Sequence, residues 1–273
     1  MRLINRRPKP GIARLLALLP FALVLVAYLV GSGIRLAANP ADKLLPAFAR
    51  FAAAIDSMAF TADKRTGDFL MWVDTIASLE RLLVALAIAT LAGLALGIAL
   101  GLLPWLGSLL GSFVTVVSMV PPLAVLPILL ITLGLGEISK ITLIVIGIAP
   151  GLVRDIALRT GDLPRQQLIK GQTLGASTWT LVLRVVLPQI LPRLVDSVRL
   201  QLGAAWLFLI AAEAIAAESG LGYRIFLVRR YLAMDVILPY VAWITLLAFA
   251  MDFAMLKLQS SAFPWFASAR AAA

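Results

Sequence analysis

From Leu82 to Gly136 the chain contains no charged residue. As one helix, at 1.5 Å per residue, this stretch would be about 80 Å long, more than twice the hydrocarbon thickness of a bilayer. It therefore predicts two membrane crossings, and Pro104 and Gly107 favour a turn between them. Hydrophobic residues make up 62% of the 273 residues, more than a soluble domain of this length needs. The sequence predicts a membrane protein that crosses the bilayer several times.

Apolar stretches along the rest of the chain predict an all-α bundle of about six transmembrane helices. The predicted spans cover residues 15–34, 77–103, 108–133, 138–153, 194–217 and 236–256. With both termini inside, thirteen Lys and Arg residues lie in inner segments and ten in outer segments, which favours this orientation. The net charge of +10 is assigned to loops that flank the membrane, and no nucleic-acid partner is expected.

The absence of His and Cys limits the chemistry that the chain can perform. It removes thiol chemistry and disulfides, together with the commonest general base and transition-metal ligand. We expect no catalytic residue, no metal site and no cofactor.

Three features inside the predicted spans suggest packing or transport roles. Gly93, Gly97 and Gly101 share one helix face and predict close approach of a neighbouring helix. A second set consists of candidates for a pore or gate: Pro121, Pro122, Pro127 and Glu213. The prolines predict a kinked helix that faces protein or a cavity, with a simple kink as the alternative. For Glu213 the alternative is an interfacial carboxylate paired with Arg224, Arg229 or Arg230.

The segment 162–192 predicts two short helices outside the membrane. Pro164 suits the first helical position and Gly175 a left-handed helix end. Ser177 suits the N-cap of a second helix through Val186, ended by Pro188. The segment is rich in apolar residues, which is typical of a partner-binding surface.

This segment resembles the EAA loop of permeases of type I ABC importers. Gly175 falls on the glycine of that motif, and Val185-Val186-Leu187-Pro188 fall on its closing element. Ile169-Lys170-Gly171 stand where the motif has Glu-Ala-Ala, so the acidic residue of the family is missing and Lys170 reverses the local charge.

Further segments between about residues 75 and 258 resemble the nitrate/sulfonate/taurine-type branch of these permeases. The segments that carry this resemblance are 78–81, 121–127, 134–140, 211–213 and 218–223.

The resemblance implies the MetI-like fold of type I importers in a bacterial inner membrane, with cytoplasmic termini. The implied order is a basic tail 1–14, a first transmembrane segment 15–36, a periplasmic loop 37–76, a transmembrane domain 77–258 and a C-terminal tail 259–273. The loop 154–193 of that domain would couple the permease to its ATPase.

The resemblance also implies the partners. They are a second permease copy, two cytoplasmic ATPases, a periplasmic or lipid-anchored solute-binding protein and the lipid bilayer. The implied contact with the ATPase comprises Gln166, Gln167, Ile169, Lys170, Gly171, Gln172, Thr173, Leu174, Gly175, Ala176, Ser177, Leu187 and Pro188.

Two other classes of function stay open at this point. The sequence lacks the Gly-x-x-x-x-Gly-Lys-Ser/Thr loop that binds ATP, so passive transport, ion coupling or a separate ATPase could supply the energy. A self-contained transporter or channel would usually show an internal repeat and several buried charges. An intramembrane enzyme would have to rely on carboxylates or on Ser139-Lys140, which lies at the end of a span.

Overall fold

The computed structural model describes residues 8–40, 42–64 and 66–266. In these ranges the chain is helical without strands, and two single π-helical turns lie at Asp56–Phe60 and Val182–Val186. The α-helices are α1 (Pro10–Ala38), α2 (Phe48–Ile55), α3 (Leu70–Leu102), α4 (Pro104–Val117), α5 (Pro122–Leu133), α6 (Glu137–Gly161), α7 (Arg165–Thr173), α8 (Thr178–Leu181), α9 (Leu187–Ala216), α10 (Leu221–Arg229) and α11 (Met234–Ala262).

Within the described residues, five helical segments are long and apolar enough to cross a membrane. They are α1, α3, α6, α11 and the continuous segment Thr178–Ala216. The pair α4 and α5 makes a sixth if it is counted as one broken span. The prediction of an all-α membrane bundle with about six spans is confirmed.

The third predicted span is not one kinked helix. The chain bends by 91° between α4 and α5, so the prediction of a single helix over 108–133 is wrong. Pro121 disfavours helical geometry at Val120, and Pro122 is suited only to a first helical turn. The two adjacent prolines therefore end one helix and start the next, while Pro127 lies inside α5.

The predicted polar loop over 154–193 is shorter than expected. α6 continues to Gly161 and α9 begins at Leu187. Pro188 does not end a helix but lies in the first turn of α9, directly after the π-helical turn Val182–Val186. Because the π turn already interrupts the regular hydrogen-bond pattern, the missing N–H of the proline is accommodated there.

The other long helices also extend beyond the predicted spans, since the charged residues near their ends are helical too. α3 begins at Leu70 and α11 continues to Ala262. Of the predicted tails, residues 1–7 and 267–273 lie outside the described part of the chain.

The centre of the bundle is the seam between α3 and α6. A Cβ atom at Gly93 would lie 2.8 Å from the Cβ of Leu152, and one at Gly97 would lie 2.6 Å from the Cβ of Ile156. At Gly101 it would lie 2.4 Å from the carbonyl oxygen of Ala157. The glycine face of α3 therefore lets the two backbones approach more closely than any side chain would permit.

The first helix stands apart from this core. Only 6% of the most apolar window of α1 is buried. Its links to the chain that follows are local, because Tyr28 donates a hydrogen bond to the Pro46 carbonyl at 2.6 Å and its ring contacts Phe48 and Phe51. Arg35 bonds to Asp42, and this hydrogen bond lowers the pKa of the Asp42 carboxyl below its ordinary value.

The glycine seam predicts the effect of adding one methyl group. We expect Gly97→Ala to reduce the free energy of unfolding by about 1–3 kcal/mol, because the new Cβ would overlap Ile156. Thermal unfolding of the purified chain in detergent would measure this effect. Gly33→Ala is the matched control in α1, since no atom lies within 4 Å of a Cβ there. Equal stability of the two variants would contradict close packing at the seam.

Candidate functional site

Two groups of residues stand out, one at each end of the bundle. The buried polar network lies where α3 and α6 begin and α9 ends. It comprises Asp74, Ser78, Arg81, Glu213, Arg224 and Tyr240, and it reaches the surface at Glu137, whose side chain is 55% exposed. The α7–α8 protrusion, residues 165–181, lies at the opposite end, between α6 and α9.

Glu213 is fully buried, with 0% of its surface exposed. Its carboxylate accepts hydrogen bonds from Ser78 Oγ, Arg81 Nη1 and the backbone N–H of Gly222, each at 2.8 Å. Arg81 continues the network by donating to Glu137 Oε1 at 3.0 Å. A charged group is stable away from water only when it has such partners. The burial of the Glu213 carboxylate therefore depends on Arg81.

The expected pairing of Glu213 with Arg224, Arg229 or Arg230 is wrong. Its partner Arg81 lies on α3, far away in sequence. α3 begins seven residues before the predicted span, so Asp74 belongs to the same helix as Ser78 and Arg81. The spacing of Asp74, Ser78 and Arg81 puts them on one helix face, and this is the signal that could have revealed the network.

Asp74 forms the second half of the network. It accepts hydrogen bonds from the backbone N–H of Gly220 at 2.9 Å, from Arg224 Nε at 2.8 Å and from the Tyr240 hydroxyl at 3.2 Å. Burial favours the neutral form of Arg224, but the bonds to the Asp74 carboxylate outweigh it and raise the pKa of the guanidinium above its ordinary value. Arg224 therefore stays charged at any physiological pH.

The network fixes the turn between α9 and α10. Ser78 Oγ accepts a hydrogen bond from the N–H of Leu221 at 2.8 Å, and Arg81 donates to the Ser219 carbonyl at 2.8 Å. Gly220 has a φ of +130°, and a Cβ there would lie 2.5 Å from the Glu213 carboxyl carbon. Side chains from several helices thus hold this turn in one conformation.

Charged pairs also occur further along the spans. Arg199 on α9 donates to both carboxylate oxygens of Asp252 on α11, at 2.8 and 2.9 Å. Asp155 on α6 bonds to Arg159 and to Ser197. The sequence does not reveal the pair of Arg199 and Asp252, because a contact between two distant helices leaves no local pattern.

The predicted gate prolines do not belong to the network. Pro121 and Pro127 are exposed, and α5 contacts the bundle through Leu126 and Leu129. No hydrogen bond among the described residues joins α5 to Glu213.

In the α7–α8 protrusion, the end of α7 has a well-defined turn. Gly175 has a φ of +82° and its N–H donates to the carbonyl of Gln172. The N–H of Ala176 donates to the carbonyl of Gly171 at 3.0 Å. This pattern is a Schellman motif, in which the left-handed residue is usually glycine.

Local contacts fold α8 back against α7. Ser177 Oγ accepts a hydrogen bond from the N–H of Thr180 and caps α8. A Cβ at Gly171 would lie 2.4 Å from Leu181 Cδ2, so this glycine leaves room for the Leu181 side chain. Gln189 Nε2 donates to Gln167 Oε1 at 3.0 Å and joins α7 to α9.

The outer surface of the protrusion carries large apolar side chains. Ile169 is 57% exposed, Leu174 is 86% exposed and Trp179 is 69% exposed. Of the residues predicted to contact an ATPase, the exposed members are Gln166, Gln167, Ile169, Lys170, Gln172, Thr173, Leu174, Gly175, Ser177 and Pro188. Gly171, Ala176 and Leu187 are partly buried and support the others.

The network predicts that a second substitution restores the stability lost by the first. We expect Arg81→Met to reduce the free energy of unfolding by about 3–5 kcal/mol, because Glu213 would stay buried without its cation. Adding Glu213→Gln should restore most of the loss, which thermal unfolding in detergent would measure. Arg159→Met is the control, since it removes a partly exposed pair and should cost about 0–1 kcal/mol. A double variant no more stable than Arg81→Met would contradict the pairing.

Comparison with known proteins identifies the family. Residues 89–261 match the family model described as "Binding-protein-dependent transport system inner membrane component". The taurine transport system permease protein TauC of Escherichia coli (strain K12) is 36% identical over 198 residues, 72% of each chain. The putative aliphatic sulfonates transport permease protein SsuC of the same strain is 32% identical over 133 residues, 49% of this chain and 51% of that protein.

A nitrate import permease and a solved transporter extend the comparison. The permease NrtB of Synechococcus elongatus is 29% identical over 148 residues, 54% of this chain and 53% of that protein. A chain in the inward-facing MetNI methionine ABC transporter superposes with a TM-score of 0.59 at 19% identity, over 70% of this chain and 96% of that chain. The expected MetI-like fold is confirmed by this superposition, and the chain belongs to the family of binding-protein-dependent transport system inner membrane components.

Proposed function

We propose that this chain is the membrane-spanning subunit of an ATP-driven importer for a small polar solute related to taurine, aliphatic sulfonates or nitrate. The relatives at 36%, 32% and 29% identity are named for transport of these three solutes. Sulfonates and nitrate are small anions, and taurine carries a sulfonate group. The chain itself performs no catalysis in this proposal.

The observation that carries the proposal is the α7–α8 protrusion. It is capped at Ser177, closed by the Schellman motif at Gly175 and tied to α9 through Gln167. A surface that is rigid and also exposes Ile169, Leu174 and Trp179 is suited to docking against another protein. We assign it to contact with a cytoplasmic ATPase, because the sequence has no ATP-binding loop of its own.

The proposal includes an assembly and an orientation. Two copies of the chain would enclose the transport path, each with one ATPase at its protrusion. The protrusion would face the cytoplasm, together with both termini. The buried polar network would then lie at the periplasmic end, where a solute-binding protein delivers the solute.

Reconstitution would test whether the chain depends on these partners. We expect uptake of labelled taurine, an aliphatic sulfonate or nitrate into proteoliposomes only when the permease, its ATPase and its solute-binding protein are combined with ATP. The permease alone should give background uptake, because it has no site for ATP. Solute uptake by the purified permease alone would instead establish a self-contained transporter or channel.

The left-handed conformation of Gly175 at the end of α7 predicts that substitutions there affect ATPase binding. We expect Gly175→Val to abolish co-purification of the ATPase and ATP-dependent uptake, because a β-branched residue in the left-handed region costs at least about 1–2 kcal/mol. Gly175→Asn is the matched control, since asparagine tolerates this conformation and should retain most of the activity. Both variants should reach the membrane in normal amounts, as the position is exposed. Normal uptake by Gly175→Val would argue against a docking role for the turn.

A further inference from the structure

The proposed docking surface carries charge of one sign only. Residues 163–195 contain no Asp or Glu, but they contain Arg165, Lys170, Arg184 and Arg193. None of these four side chains forms an ion pair with any described residue. Arg165, Lys170 and Arg184 are exposed. The protrusion and the start of α9 therefore present uncompensated positive charge.

The charges lie beside the exposed apolar side chains. On α7 the partly buried residues are Leu168 and Gly171, and Gly171 faces Leu181 of α8. The opposite face is exposed and carries Lys170 and Leu174, which are four residues apart and therefore neighbours on the helix. The same outward surface thus combines a cation with an apolar group.

Only one of the two cations of α7 stabilises the helix through its dipole. Lys170 lies in the last turn of α7, where a positive charge interacts favourably with the helix dipole. Arg165 lies in the first turn, where the dipole disfavours a cation and where α7 has no acidic residue. Arg165 therefore slightly destabilises the isolated helix, and a partner of opposite charge would offset this destabilisation.

We infer that α7 binds in a groove on the ATPase that has an apolar floor and a rim of carboxylates, and that it contacts this groove through Arg165, Lys170 and Leu174. This inference rests on the proposed function, because it specifies the partner surface at the same docking site. Leu174 enters the floor, and the rim carboxylates face the two cations. The acidic partner group is thus supplied by the ATPase, whereas the permease has Ile169-Lys170-Gly171 where its motif would place an acid.

A membrane surface fits these observations less well than a protein groove. Adsorption of a helix to anionic lipid requires a wide apolar face in addition to cations. α7 has nine residues, and Ile169 is its only exposed large apolar residue before Leu174 at the C-cap. So small an apolar surface is suited to a pocket.

Charge reversal in the assembled transporter would test the inference. The permease and the ATPase of the same transporter would be expressed separately, and their dissociation constant measured in zwitterionic nanodiscs at low and high salt. We expect the double variant Arg165→Glu and Lys170→Glu to weaken binding about tenfold or more at low salt and to lose the salt dependence of the wild type. The double variant Lys43→Glu and Lys64→Glu is the control, because it makes the same charge change at two exposed sites between α1 and α3.

Leu174→Glu separates this inference from the proposed function. If Leu174→Glu prevents assembly but the charge-reversed variant binds like the wild type at every salt concentration, the acidic rim is wrong and ATPase docking stands. If the Leu174→Glu variant also binds the ATPase normally, the assignment of the docking site to the α7–α8 protrusion is wrong. If charge reversal matters only in nanodiscs that contain anionic phosphatidylglycerol, the cations bind lipid headgroups and the inference is overturned.

Discussion

The ion pair between Arg81 and Glu213 sets the arrangement of one whole end of the bundle. Both side chains are withdrawn from water, and neither is tolerable there alone. Their contact requires α3 and α9 to meet at one register, and the bonds to Ser78 and Gly222 extend that requirement to the turn before α10. Asp74 adds α11 through Tyr240. In apolar surroundings such contacts select one register between the helices, whereas hydrophobic packing alone permits several.

Features encoded within one or two turns of the chain were predictable from sequence. The charge-free run after Arg81 required two crossings, and the glycines of α3 marked the face that lies against α6. Gly175 and Ser177 were recognised as helix end and helix cap because their conformations follow from local chemistry. These predictions depend on spacing and residue type, and distant contacts do not alter them.

Features that depend on distant contacts were not predictable in the same way. Arg81 lies near the start of the predicted span 77–103, and no local pattern shows that α3 carries its side chain into the bundle. Pro188 suggested a helix end, but the preceding π turn lets the helix continue. Pro121 and Pro122 at the start of α5 indicated a kink, whereas the bend of 91° and the burial of Leu126 and Leu129 have no signal in the local sequence.

The continuous helical segment Thr178–Ala216 joins the two groups of functional residues directly. Its 39 residues amount to about 58 Å at 1.5 Å per residue. One end is fastened to α7 through Gln189, and the other carries Glu213 beneath the turn at Gly220. A displacement at Thr178 would therefore be carried along continuous backbone to Glu213 at the opposite end of the bundle, without a relay of side-chain rearrangements.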